Sequence, residues 1–218
     1  MIKVIGGLAV VAVCISAIGA ALMGGAVVYA RTMTAPDEEI AGFLRELESC
    51  PPEPCLMGIQ PSVTTTDEVD ALFRRNVWVE QFFYTRGMAV GSGMIRWTWS
   101  GAQPGFIDAR IDGTMWIEDG RVLWIEIPTR VRMGEMWFIY PPERGAAFTT
   151  SAAPPRLIYW GLSVDNILQL RLIVTCPSRV GQLWNTTVLF RVGALESALM
   201  NANTPLRAFS PRLRCPYL

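Results

Sequence analysis

"TMWIEDGRVLWIEI", residues 114–127, decides the fold. Two runs of apolar residues flank Asp119-Gly120, a dipeptide that accepts positive φ at both central positions of a two-residue hairpin turn. The turn predicts a register: Glu118 opposite Arg121, Ile117 opposite Val122, Trp116 opposite Leu123 and Met115 opposite Trp124. Side chains alternate along a strand, which places Met115, Ile117, Val122 and Trp124 on one face and Trp116, Leu123 and Ile125 on the other. Both faces carry apolar bulk. One must be core, and the second, Trp116, Leu123 and Ile125, is the candidate interaction surface, covered either by another part of the chain or by a partner protein.

Outward from the hairpin, "MIRWTWSG" (94–101) alternates as a strand, with Ile95, Trp97 and Trp99 pointing one way and Arg96 and Thr98 the other. Before it, "PSVTTTDEVDALFRR" carries a capping box. Thr65 accepts from the amide three residues on while Glu68 reaches back, and Val69, Leu72 and Phe73 form one apolar face. After the hairpin, "RVRMGEMWFIYPPERG" predicts a short helix stopped by Pro141 and Pro142, with Glu135 about 67 residues beyond Glu68. Strand patterns follow at "RLIYWGLS", "LQLRLIVTC" and "LWNTTVLFRV". A short helix and then an antiparallel meander, twice, reads as an internal duplication.

That layout resembles the tandem helix-plus-four-strand modules of β-lactamase inhibitory proteins and of the small lipoprotein that assists outer-membrane β-barrel assembly. The resemblance runs over residues 56–192 and rests on a glycine, a Thr/Asp/Glu helix start and Trp-rich strands, as in "GIQPSVTTTDEV". It implies an α+β fold and carries over no functional residues. A retained apolar span departs from the first family, and two modules without a lipoprotein processing signal depart from the second.

The chain opens on an uncharged run from Val4 to Ala30, about 27 residues, longer than the ~20 needed to cross a bilayer core and than the ~7–15 of a signal peptide. Val28-Tyr29-Ala30 nonetheless spells a small-residue cleavage site. Lys3 before the run, and Asp37, Glu38 and Glu39 after it, predict a single-pass plasma-membrane anchor with its N-terminus cytoplasmic and the remainder extracytoplasmic. Ala12, Ser16, Ala20 and Gly24 recur every fourth residue, a small-residue stripe suited to packing against another membrane helix. "APDEEIAGFLRELES" then predicts a short amphipathic helix built on Ile40, Phe43, Leu44 and Leu47, just above the bilayer.

The resulting fold class is α+β: one N-terminal transmembrane helix, then an extracytoplasmic domain of two tandem helix-plus-antiparallel-sheet modules. Its expected parts are an anchor at 1–31, a juxtamembrane helix and Cys-Pro linker at 32–55, modules at 56–128 and 129–192, and a C-terminal helix and tethered tail at 193–218.

Outside the apolar run lie four cysteines, Cys50, Cys55, Cys176 and Cys215, an even number suited to an oxidising compartment. "CPPEPC" brings Cys50 and Cys55 together across a stiff turn, which leaves Cys176 for Cys215 as a second structural staple. The spacing is not the Cys-x-x-Cys of disulfide oxidoreductases, and with no histidine in the chain zinc is disfavoured.

Nineteen Lys+Arg balance nineteen Asp+Glu with no basic stripe, which excludes a nucleic-acid partner. The absence of histidine removes the commonest general base and metal ligand. Asp108, Asp112, Glu118, Asp119 and Glu126 cluster in sequence, but the turn claims Asp119 and Arg121 faces Glu118, so no catalytic pair is expected and no cofactor or metal site is read. Two functions survive. One is a non-catalytic accessory or structural subunit of a larger membrane complex, with other membrane-protein subunits as partners and the lipid bilayer held by the N-terminal helix. The other is a binding module for a lipid-like or apolar ligand, walled by Trp97, Trp99, Trp116 and Trp124.

Overall fold

The computed structural model describes residue 19 and residues 38–47, 54–150, 153–162, 168–176 and 180–194. The chain divides into two compact units, 1–37 and 38–218, and the described architecture belongs to the second. In order it comprises α1 (Glu38–Leu47), α2 (Thr66–Phe73), β1 (Val79–Arg86), β2 (Gly93–Trp99), β3 (Gly113–Glu118), β4 (Arg121–Arg132), α3 (Met133–Ile139), β5 (Arg144–Thr149), β6 (Arg156–Leu162), β7 (Gln169–Thr175), α4 (Val180–Asn185) and β8 (Thr187–Gly193).

All eight strands form one antiparallel sheet in the order β1-β2-β3-β4-β8-β7-β6-β5. This corrects the expected fold class. The chain does not make two helix-plus-sheet modules each with its own sheet: β4 pairs with β8 between Trp124 and Arg132, and the two meanders fuse into a continuous, mostly strand architecture with a few short helices. The physical reason is edge satisfaction. A strand ending a four-stranded sheet leaves a row of backbone donors and acceptors unpaired, and joining the last strand of each meander satisfies both rows at once. Backbone groups carry that pairing, so side-chain pattern does not announce it.

The second correction concerns the membrane. No helix among the described residues is long and apolar enough to cross a bilayer, which leaves the transmembrane, signal-anchor and single-pass reading without structural support. Residues 1–31, apart from Gly19, lie outside the described residues, as do Ala12, Ser16, Ala20 and Gly24 of the expected stripe.

One sheet face holds the core. Ile95, Trp97, Met115, Ile117, Val122, Ile125, Ile127, Leu170, Leu172, Val188, Phe190 and Val192 point to it, and short helices cover it. The helix expected within "APDEEIAGFLRELES" forms over Glu38–Leu47, but as part of this core: Ile40, Phe43 and Leu47 are buried, and the Phe43 ring lies 5.2 Å from Phe106 and 5.9 Å from Phe190. The Thr65 capping box forms too, with the Thr65 N–H donating to Glu68 Oε2 at 2.8 Å and the Glu68 N–H to Thr65 Oγ1 at 3.4 Å. At α3 the Arg132 N–H donates to Glu135 Oε2 at the same 2.8 Å. At the β4–β8 seam the register slips between Pro128 and Arg132, where proline has no N–H to give, and the Thr129 hydroxyl donates to the buried Val188 carbonyl at 2.7 Å.

Candidate interaction surface

The hairpin turn forms at Asp119-Gly120 with φ of 50° and 73°, both positive, and Glu118 faces Arg121 and Ile117 faces Val122. Beyond those pairs the expected register fails. Trp116 faces Trp124 and Met115 faces Ile125, because Leu123 is bulged out of the ladder. One extra residue exchanges the faces of everything after it. Ile125, assigned to the interaction surface, is therefore core at 0 % exposure, while Trp124, assigned to core, joins Trp116 and Leu123 on the opposite face, where all three are half-buried.

That opposite face carries a cluster which sequence reasoning missed. Across the seam Glu126 of β4 stands beside Arg191 of β8, which stands beside Gln169 of β7. Glu126 and Arg191 are only 6 % and 5 % exposed. Arg171 reaches Glu126 Oε1 at 2.7 Å. The Arg191 guanidinium lies 4.2 Å from the Trp124 ring and 5.0 Å from Trp160, and that of Arg171 lies 5.4 Å from Trp160. Gln169 Nε2 donates to the carbonyls of Gly193 and Ala194, both at 3.1 Å. Planar guanidiniums between carboxylate and aromatic faces tolerate burial, so this cluster braces the seam from within the chain. The signal was present as arginines at the outward positions of two apolar strands, but it means little until those strands are neighbours.

The four tryptophans proposed as one ligand wall divide between the two faces: Trp97 and Trp99 are in the core, Trp116 and Trp124 opposite. The carboxylates are likewise dispersed in role. Asp108 is buried and held bidentately by Arg110, with Nη2 to Oδ2 at 2.7 Å and Nε to Oδ1 at 2.8 Å, and Arg130 lies 3.9 Å away. Hydrogen bonding from Arg110, reinforced by its charge and that of Arg130, holds the Asp108 carboxyl below the usual aspartate range. Glu126 is engaged by Arg171, Asp119 lies in the turn, and Asp112 and Glu118 are exposed. Among the described residues no group of His, Cys, Asp and Glu could hold a metal ion. Cys55 and Cys176 are buried and disulfide-bonded, but no disulfide is seen joining two described residues, and Cys50 and Cys215, their expected mates, lie outside them.

Exposed apolar surface concentrates elsewhere, on the edge strand β1 and the β1–β2 connection. Phe83 is 54 % and Tyr84 47 % exposed, and Met88 and Val90 are fully exposed at the tip, with Val77 exposed just before the strand. The local fold explains the placement. Gly87 N–H donates to Ser92 O at 2.9 Å, Ser92 Oγ to Ala89 O at 2.7 Å and Tyr84 Oη to Ser92 O at 3.1 Å, so the tip is pinned from inside while its methionine and valine point out. Gly120 N–H, on the neighbouring turn, donates to Gly91 O at 2.9 Å and ties the two hairpin ends together. No protein-family model, no curated protein and no solved structure matches the chain.

Proposed function

We propose that this protein is a non-catalytic interaction module, an accessory or structural subunit that works by docking to protein through β1 and the β1–β2 tip. One observation carries the reading: Phe83, Tyr84, Met88 and Val90 stand exposed together on an unpaired sheet edge and its tip, whereas the other exposed large apolar side chains among the described residues, Val63, Ile111, Phe148 and Trp184 among them, are scattered singly. An edge strand offers backbone donors and acceptors to an incoming strand, and exposed aromatics supply the contact area that gives such pairing affinity. The engagement of Asp108 and Glu126 by arginines supports the absence of catalysis, since each carboxylate is already neutralised by a structural partner.

The test is a photo-crosslinking residue placed at Met88 or Val90 of the full chain in its host cells, against the same residue at exposed Ala147 on the far edge strand. A protein adduct at the tip and none at Ala147 is expected. Equal labelling at both positions, or no protein adduct at the tip, overturns the reading.

A further inference from the structure

We infer that β1 pairs with β1 of a second copy of this chain, antiparallel about a twofold axis at Phe83, joining two eight-stranded sheets edge to edge. The inference rests on the proposed interaction role of this edge and names its partner. β1 ends the sheet, and Glu80, Gln81, Phe83, Tyr84, Thr85 and Arg86 are all exposed, so no strand among the described residues covers the edge. The strand, "VEQFFYTR", contains no lysine or proline, two common blockers of edge pairing.

Geometry limits the register. The ladder to β2 ends on the Gly87 N–H to Ser92 O bond, and paired residues alternate in an antiparallel ladder, so odd-numbered residues of β1 bond inward and Phe82, Tyr84 and Arg86 turn their backbone groups outward. Only registers that set even residues against even residues can form. Of these, the one centred on Phe83 places Phe82 opposite Tyr84 and Gln81 opposite Thr85, and brings the strand end that carries Glu80 to the end that carries Arg86, each occurring twice by symmetry. A twofold contact must be self-complementary, and here each end of the strand supplies the charge that the other end lacks. Moving the axis to Phe82 sets Glu80 against Tyr84, and moving it to Tyr84 sets Phe82 against Arg86. The β1 irregularity lies between Val79 and Gln81 and falls on Glu80, so the regular pairing segment is Gln81–Arg86 and Glu80 stands just beyond its end. Neither Glu80 nor Arg86 has an ion-pair partner among the described residues.

The experiment is light scattering of the full chain, purified in mild detergent, with charge variants. Wild type is expected at twice the chain mass. Glu80→Arg and Arg86→Glu each set like charges in opposition at two symmetric positions, and each should weaken self-association by about tenfold or more. The double variant E80R/R86E should restore it to within a few-fold, which a folding defect cannot imitate. Phe83→Cys should give a covalent dimer on oxidation, with Gln81→Cys as the out-of-register control. Monomeric wild type, or a double variant no better than the singles, overturns self-pairing. If the tip crosslinks a different protein while the purified chain stays monomeric, the interaction module stands and only the second copy is wrong; if neither occurs, both readings fall.

Discussion

Gly113 and Gly120 are both small for reasons that differ. A Cβ at Gly113 would enter the ring of Trp97, a fully buried side chain, whereas a Cβ at Gly120 meets nothing within 4 Å but would need a φ of 73°. Gly113→Ala should therefore destabilise by overpacking, roughly 1–3 kcal/mol, and Gly120→Ala by backbone strain alone, about 1–2 kcal/mol. Denaturant melts distinguish the causes: Trp97→Phe added to Gly113→Ala should relieve part of the first cost and, added to Gly120→Ala, none of the second. Asp108 makes a pH prediction. Its folded pKa is lowered, so the unfolded state binds the proton more readily and stability rises with pH through the acid range. The contribution is complete above the ordinary aspartate value of ~3.9 and is lost as pH falls through the folded value. Asp70 and Glu68, lowered by hydrogen bonds from Arg74 and Thr65, act with the same sign. Asp108→Asn should flatten the acid limb of the denaturant midpoint between about pH 2 and 5, and an unchanged slope would dismiss the Arg110 pair as its cause.

The elements that could be read locally are those whose reasons are local. Thr65 and Glu68 satisfy each other's backbone within four residues, and the helix they start is present with Val69 and Phe73 buried. Thr65→Ala should cost about 1 kcal/mol in a thermal or denaturant melt, and Thr65→Ser much less, because the serine hydroxyl reproduces the cap. The hairpin was legible to the same depth, its turn and first two pairs following from Asp119-Gly120. The Leu123 bulge was not, because the choice between an alternating strand and a bulged one lies with the core: Ile125 and Ile127 fill the buried face only after the slip. The candidate surface Trp116, Leu123 and Ile125 lost one member by that single residue. The aromatic edge of β1 escaped notice since nothing in "VEQFFYTR" says that its strand ends the sheet.

Within residues 38–218, fusion of the meanders through β4 and β8 joins them into one sheet over one core. The core is continuous from Trp97 on one side to Leu172 on the other, and Glu126 with Arg171 spans the seam on the opposite face. A fragment of residues 54–132, the first meander with its helix, would expose the whole β4 edge together with Ile127 and Val131. It should fail to fold alone, giving a collapsed amide NMR spectrum or aggregation, while residues 38–218 unfold in a single transition. A dispersed spectrum from the fragment would return the two-module description.

By itself the sequence determined the turn at Asp119-Gly120, the helix cap at Thr65 and the strand character of the Trp-rich segments, since φ preference, capping and side-chain alternation act within a few residues. Only the tertiary structure decided that one sheet replaces two, that Trp124 and Ile125 exchange faces, and that Glu126, Arg171 and Arg191 meet across the seam. Those outcomes depend on which strand edges pair, and edges pair through backbone groups that every residue but proline presents alike.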